Sequence, residues 1–178
     1  TARLLAVFWN PRKNRLREFT DDDLPGTQLS HALVLLTGLP DPETVNGCLA
    51  ALTSSDCLAP ELYMMHFVLK ALALHGCDDA MMTILRRYWL PMLATEVPTI
   101  WEANVHIHGK AGIDGALSLC HAFSLAPVSL MSQVILGVRP LDNGFRRLSF
   151  APVPCGLTFA QGVIPTPHGP VSVSWQRR

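Results

Sequence analysis

The sequence carries no net charge: 14 Lys and Arg are balanced by 14 Asp and Glu. That balance excludes the basic stripe of a nucleic-acid binder and also an acidic tail. Charge of either sign is scarce at 16% of the 178 residues, while 49% are hydrophobic and mean hydropathy is +0.25. A chain this apolar has more greasy surface than it can hide alone, so it is expected to self-associate or to be one piece of a larger protein. No apolar run approaches the roughly 18–20 residues that span a bilayer, because Lys70, Arg86, Arg87 and several prolines interrupt the longest ones. The five cysteines (48, 57, 77, 120 and 155) form no C-x-x-C pair, which argues against a disulfide framework or a zinc site and for reduced, mostly buried thiols. A serine nucleophile elbow, a phosphate-cradling glycine loop and a dinucleotide fingerprint are all missing, which excludes the common nucleotide enzymes. The start, Thr1-Ala2-Arg3-Leu4, has neither an initiator Met nor a signal-peptide design, and is expected to be a trimmed or cut end.

What is present falls into two regimes that divide between Gly137 and Asn143. Before that point apolar residues recur at helical spacing; after it, short alternating runs are separated by Gly and Pro. Residues 29–36 are apolar nearly all round and end at Gly38, predicting a buried helix. Asp41-Pro42 gives a cap and a first-turn proline for a second helix, with Val45, Cys48, Leu49 and Leu52 on one face. Pro60 is expected to open a third, apolar on two faces and ended by Gly76. Asp78 and Asp79 start a fourth, carrying Met81, Leu85, Tyr88 and Met92. A fifth is expected from Ile113, Ala116, Leu117 and Cys120, and a sixth from Pro127 through Leu130, Met131, Val134 and Ile135. Residues 147–150, 157–161 and 171–175 alternate as strands, with a turn over 165–170. The predicted class is mainly α with a small β part. Doubly buried helices alternating with amphipathic ones fit a two-ring toroid or a plain bundle equally well.

Three places carry candidate chemistry. Trp101 beside Glu102 could form part of a sugar site, the indole as an apolar platform and the carboxylate as a proton acceptor for water; the same pair also reads as a packed aromatic beside a solvated acid. His121, polar within an apolar stretch, reads as a ligand for substrate or as a core histidine bonded to backbone. His106 and His108 lack a third ligand at a metal-site spacing, so neither a metal nor a cofactor is expected. Asp21-Asp22-Asp23 reads as a solvated turn.

Four motifs in order, Arg86-Arg87-Tyr88-Trp89-Leu90-Pro91-Met92-Leu93, Pro98-Thr99-Ile100-Trp101-Glu102, Ser118-Leu119-Cys120-His121-Ala122-Phe123 and Leu136-Gly137-Val138-Arg139-Pro140, resemble the bacterial α-L-rhamnosidases of glycoside hydrolase family 78. The tail, with Leu157-Thr158-Phe159-Ala160-Gln161-Gly162 and Pro165-Thr166-Pro167-His168-Gly169-Pro170, resembles that family's C-terminal β domain. The resemblance implies that residues 1–137 are the C-terminal portion of an (α/α)6 toroid and that residues 138–178 are antiparallel strands of a β-sandwich. It also implies an inverting acid/base hydrolysis of terminal α-L-rhamnose, with Glu102 as general base, and Trp101 and His121 contacting the sugar. The family's general acid and its acidic rhamnose-binding cluster lie in an earlier segment that nothing here matches; Asp21, Asp22 and Asp23 fall in the wrong place. Phe123 stands where the family often has Trp. The expected partners are therefore a rhamnose-containing glycoside and either the missing N-terminal part of the same protein or a second copy. This polypeptide alone is expected to lack hydrolase activity, and a catalytically silent sugar-binding or assembly module of the same fold is the alternative. Neither nucleic acid nor a membrane is expected as a partner. The compartment is expected to be a bacterial cytoplasm or periplasm, with the unpaired thiols pointing to the former.

Overall fold

A computed structural model of the chain describes residues 2–20, 24, 26–95, 99–104 and 118–177. It is mainly helical with small antiparallel sheets, and it divides into two compact units, residues 1–124 and 125–178. No described helix is long and apolar enough to cross a membrane.

The first unit opens with α1 (Ala2–Phe8) and a two-residue hairpin, β1 (Trp9–Asn10) paired with β2 (Arg15–Leu16). Its core is built by α2 (Gln28–Leu36), α3 (Pro42–Thr53), α4 (Met65–Leu74) and α5 (Asp78–Leu93). The starts of α2 and α3 follow from capping chemistry. The Thr27 hydroxyl accepts from the Ser30 N–H, and Asp41 accepts from the Thr44 N–H with Pro42 at the first helical position. Helix α2 packs on α3 and α4, and α4 packs in turn on α5. Leu52, Leu62, Met65, Leu69, Leu72, Met81 and Met92 are fully enclosed between them. The expected double burial of α4 is thus met by helices on both sides. Helix α2 is less uniformly buried than its sequence predicts, since Leu33 is exposed.

Two helix expectations are corrected. Helix α4 begins at Met65, because the N–H groups of Met64 and Met65 both reach the Glu61 carbonyl, closing a turn after Pro60. The fifth helix fails at its C-terminal end: residues 118–121 are extended and paired with 99–102, and residues 113–117 lie outside those described.

In the second unit, α6 (Ala126–Leu130) continues as a wider turn over Met131–Ile135, where the Leu136 N–H returns to the Met131 carbonyl, five residues back. The carbonyls left open at this helix end are taken by tertiary donors: Val153 N–H to Val134 O at 3.0 Å and the Trp175 indole N–H to Ile135 O at 2.8 Å. Two hairpins follow, β3 (Val138–Pro140) with β4 (Leu148–Phe150), and β5 (Phe159–Ile164) with β6 (Val171–Gln176). Strand β3 was not legible beforehand because it has only three residues. Strand β5 starts two residues later than expected, since Leu157 N–H closes a turn on Pro154 O. It also runs on past Gln161 through Gly162, where a Cβ would meet Leu136 Cδ1 at 2.5 Å. Strands β3 and β5 pack on the Met131–Ile135 turn and Trp175 of β6 bonds to it, the support that sheets this small require. Cys48, Cys57, Cys77 and Cys120 are free, and Cys48, Cys57 and Cys155 are buried; burial pushes the Cys48 thiol up to about 12.

His31 ties α2 to the first hairpin. Its Nδ1 donates to Thr27 O at 2.7 Å, and its Nε2 accepts from Leu16 N–H at 2.9 Å, which fixes one neutral tautomer. Burial, the main cause, holds its pKa below the ordinary 6.5, against the opposing effects of the Thr27 carbonyl and Glu18. An unfolded His takes up its proton as the pH falls below that ordinary value, while the folded ring resists. The stability this group contributes is therefore complete at higher pH and is lost as the pH drops from there through the folded pKa. Urea titrations at pH 7.5 and 5 are expected to give a lower midpoint at pH 5, with a smaller drop in His31→Gln; an equal drop in both proteins would remove His31 as the cause.

Candidate functional site

The sequence-predicted residues Trp101, Glu102 and His121 all fall on one pair of extended segments, 99–104 and 118–121. Glu102 N–H donates to Ser118 O at 2.8 Å, and His121 N–H donates to Ile100 O at 2.8 Å. The Thr99 hydroxyl adds a bond to Leu119 O. Residues 100–102 of one segment are thus bracketed by residues 118–121 of the other, three residues against four.

Glu102 is half-buried, and its Oε2 accepts from the Ser118 N–H at 3.0 Å. Backbone and carboxylate of this residue therefore grip the same partner, so the carboxylate is held rather than loose in solvent. His121 is also half-buried and is fixed three ways. Its N–H is in the ladder, its Nδ1 hydrogen-bonds Ser124 Oγ at 3.2 Å, and its carbonyl accepts from Ser124 N–H at 3.1 Å. Ser124 is fully buried and ends a single 3-10 turn, Ala122–Ser124, which the Trp89 indole anchors to α5 through Ser124 O at 3.0 Å. With Nδ1 engaged, Nε2 is the ring nitrogen that can face a ligand. His121 is thus neither in a helix nor bonded through its ring to backbone, as the sequence reading allowed.

Trp101 is only 3% exposed, and its indole N–H is buried without a hydrogen-bond partner. Its ring backs the segment and presents little open face. Asn104, fully buried at the other end, donates from Nδ2 to Pro60 O and from its backbone N–H to Glu61 Oε2, both at 3.1 Å. Sequence reasoning missed Glu61, Asn104 and Ser118, since each acts through a partner at least sixteen residues away; Asn104, so close to Trp101-Glu102, was the nearest to a signal.

Among the described residues no three His, Cys, Asp or Glu side chains group as a metal site would need, and His106 and His108 lie outside the described residues, as do Asp21, Asp22 and Asp23. A concavity of about 660 Å³ lies elsewhere, between Leu5, Ala6 and Trp9 on one side and Leu39, Pro40, Asp41 and Thr44 on the other. It contains none of the predicted site residues, so chemistry rather than volume singles out the paired segments.

Residues 137–178 match the family model described as the bacterial alpha-L-rhamnosidase C-terminal domain. A crystal structure of a glycoside hydrolase family 78 rhamnosidase from a Bacillus species superposes with a TM-score of 0.83 at 27% identity, over 98% of this chain and 19% of that one. The chain is similar to family 78 rhamnosidases in fold and in its C-terminal sequence. An α-L-rhamnosidase from Aspergillus terreus shares the fold at TM-score 0.76 and 21% identity, covering 98% of this chain and 21% of its own. No curated protein matches the chain. The chain spans about a fifth of the length of the solved structures it matches.

Proposed function

We propose that the chain is part of an inverting glycoside hydrolase acting on terminal α-L-rhamnosides, with Glu102 as the general base. The observation that carries this reading is the grip of Ser118 on Glu102, with His121 bonded to Ile100 on the same pair of segments. In this reaction Glu102 takes a proton from water as the water oxygen bonds the anomeric carbon. The bond from that carbon to the leaving oxygen breaks on the opposite face, and a second carboxyl group protonates that oxygen. His121 Nε2 hydrogen-bonds a sugar hydroxyl, and Trp101 supports the segment from beneath. The second carboxyl group and the acidic residues that bind rhamnose come from outside these 178 residues. Residues 1–137 belong to an (α/α)6 toroid and 138–178 to a β-sandwich of a bacterial enzyme, a boundary supported by the family match that starts at Gly137.

Two measurements test the proposal. Incubated alone with an aryl α-L-rhamnoside, the chain is expected to give no turnover, and a rate comparable to that of a full-length family enzyme would overturn the assignment of the acid to another segment. In the assembly that supplies the acid, proton NMR during the first turnovers is expected to show β-L-rhamnose released first. Release of the α anomer would exclude direct attack by water.

A further inference from the structure

We propose that Tyr63 is a sugar-contacting residue of this site, an aromatic platform beside His121 for the C–H face of the bound deoxy sugar; the inference rests on the glycosidase reading above. Glu102 and His121 give the site its polar groups, but a pyranose also needs an apolar surface to lie on. Trp101, the expected candidate, is only 3% exposed and cannot supply an open face. Tyr63 is 39% exposed, and its ring meets that of His121 edge-on, with centroids 6.1 Å apart and an interplanar angle of 71°. Phe123, 80% exposed, is a second aromatic against His121, with centroids 5.6 Å apart.

The position of Tyr63 is not incidental. It lies within the turn whose start Asn104 clasps at Pro60 O and Glu61 Oε2. That clasp docks residues 60–63 onto the same segment that carries Glu102, so the platform and the base are held in one frame. The turn also explains why α4 begins at Met65 rather than at Pro60: the residues before it are used to build the wall of the site.

The test is a titration with L-rhamnose of the chain in the assembly that supplies the acid and the rhamnose-binding acidic residues, followed by NMR shifts at His121, in the wild type, Tyr63→Ala, Tyr63→Phe and Glu102→Gln. Tyr63→Ala is expected to raise the apparent Kd about 3- to 10-fold, with Tyr63→Phe within about twofold of wild type, because the ring face and not the hydroxyl makes the contact. A wild-type chain whose His121 signals do not respond to rhamnose would overturn the sugar-site reading and the platform with it. Wild-type binding that weakens in Glu102→Gln but is unchanged in Tyr63→Ala would overturn the platform alone. Unchanged backbone spectra in Tyr63→Ala, expected for a side chain this exposed, separate lost contact from lost fold.

Discussion

Replacing Glu102 with Gln is expected to slow cleavage of an aryl α-L-rhamnoside by about 10²- to 10⁴-fold, the usual worth of a positioned general base, while leaving the unfolding midpoint nearly unchanged. The amide is isosteric with the carboxylate, and its oxygen can still accept the Ser118 N–H that Glu102 Oε2 accepts at 3.0 Å. The variant therefore keeps the paired segments and loses only the capacity to take a proton from water. The effect should fall on kcat and on kcat/KM alike, since the lost interaction is made in the transition state. The measurement is steady-state kinetics in the assembly that supplies the acid, with urea unfolding alongside. A loss below about tenfold with the fold intact would assign the base to another residue. As a contrast, Ser118→Pro removes the N–H that orients the carboxylate and is expected to reduce activity together with stability, because it also deletes the hydroxyl that donates to Cys120 O and accepts the Cys120 N–H.

The largest expected effect on stability is at Gly137. Its φ is +73°, and an added Cβ would overlap the backbone of Ala151 and Pro152. Its carbonyl accepts the Ala151 N–H at 2.8 Å, so neither strand of the β3 and β4 pair can step aside without breaking that bond. Left-handed strain and overpacking together place Gly137→Ala at about 3 kcal/mol or more of lost stability. Gly38 is the internal control. It has a similar φ of +67° but nothing within 4 Å of an added Cβ, so Gly38→Ala is expected to cost only the backbone strain of about 1–2 kcal/mol. Denaturant unfolding of both variants checks the difference, and equal losses would mean that the close approach at Gly137 relaxes freely.

Much of the helical unit was legible because its signals are local. Asp41-Pro42 at α3 and Asp78-Asp79 at α5 mark helix starts through bonds and charges within four residues, and the apolar stripes of α4 and α5 match the buried side chains. What escaped reading depends on distant partners. Residues 118–121 carry a helical apolar rhythm, yet their backbone donors and acceptors pair with Ile100 and Glu102. Pro60 looked like a helix start, but Asn104, more than forty residues on, clasps the turn that follows it. The hairpin of β1 and β2 has only two residues per strand and is held by the His31 bond to Leu16, which no periodicity announces.

The site shows the same division. Trp101, Glu102 and His121 could be named from motif and resemblance, since residue type and order suffice for that. Ser118 and Asn104 could not, because one acts through a backbone N–H and the other through contacts with Pro60 and Glu61. Tyr63 was passed over for a different reason: it falls within the third helix expected from Pro60, whereas that helix starts at Met65 and leaves Tyr63 exposed in the turn before it.

The wider turn at Met131–Ile135 has one more implication. Because the last carbonyls of that helix are spoken for by Val153 and by the indole of Trp175, helix and hairpins in this unit share their terminal hydrogen bonds. Melting either one strands polar groups on the other, so intermediates with only one of them formed are disfavoured, and the two should come and go as one cooperative body.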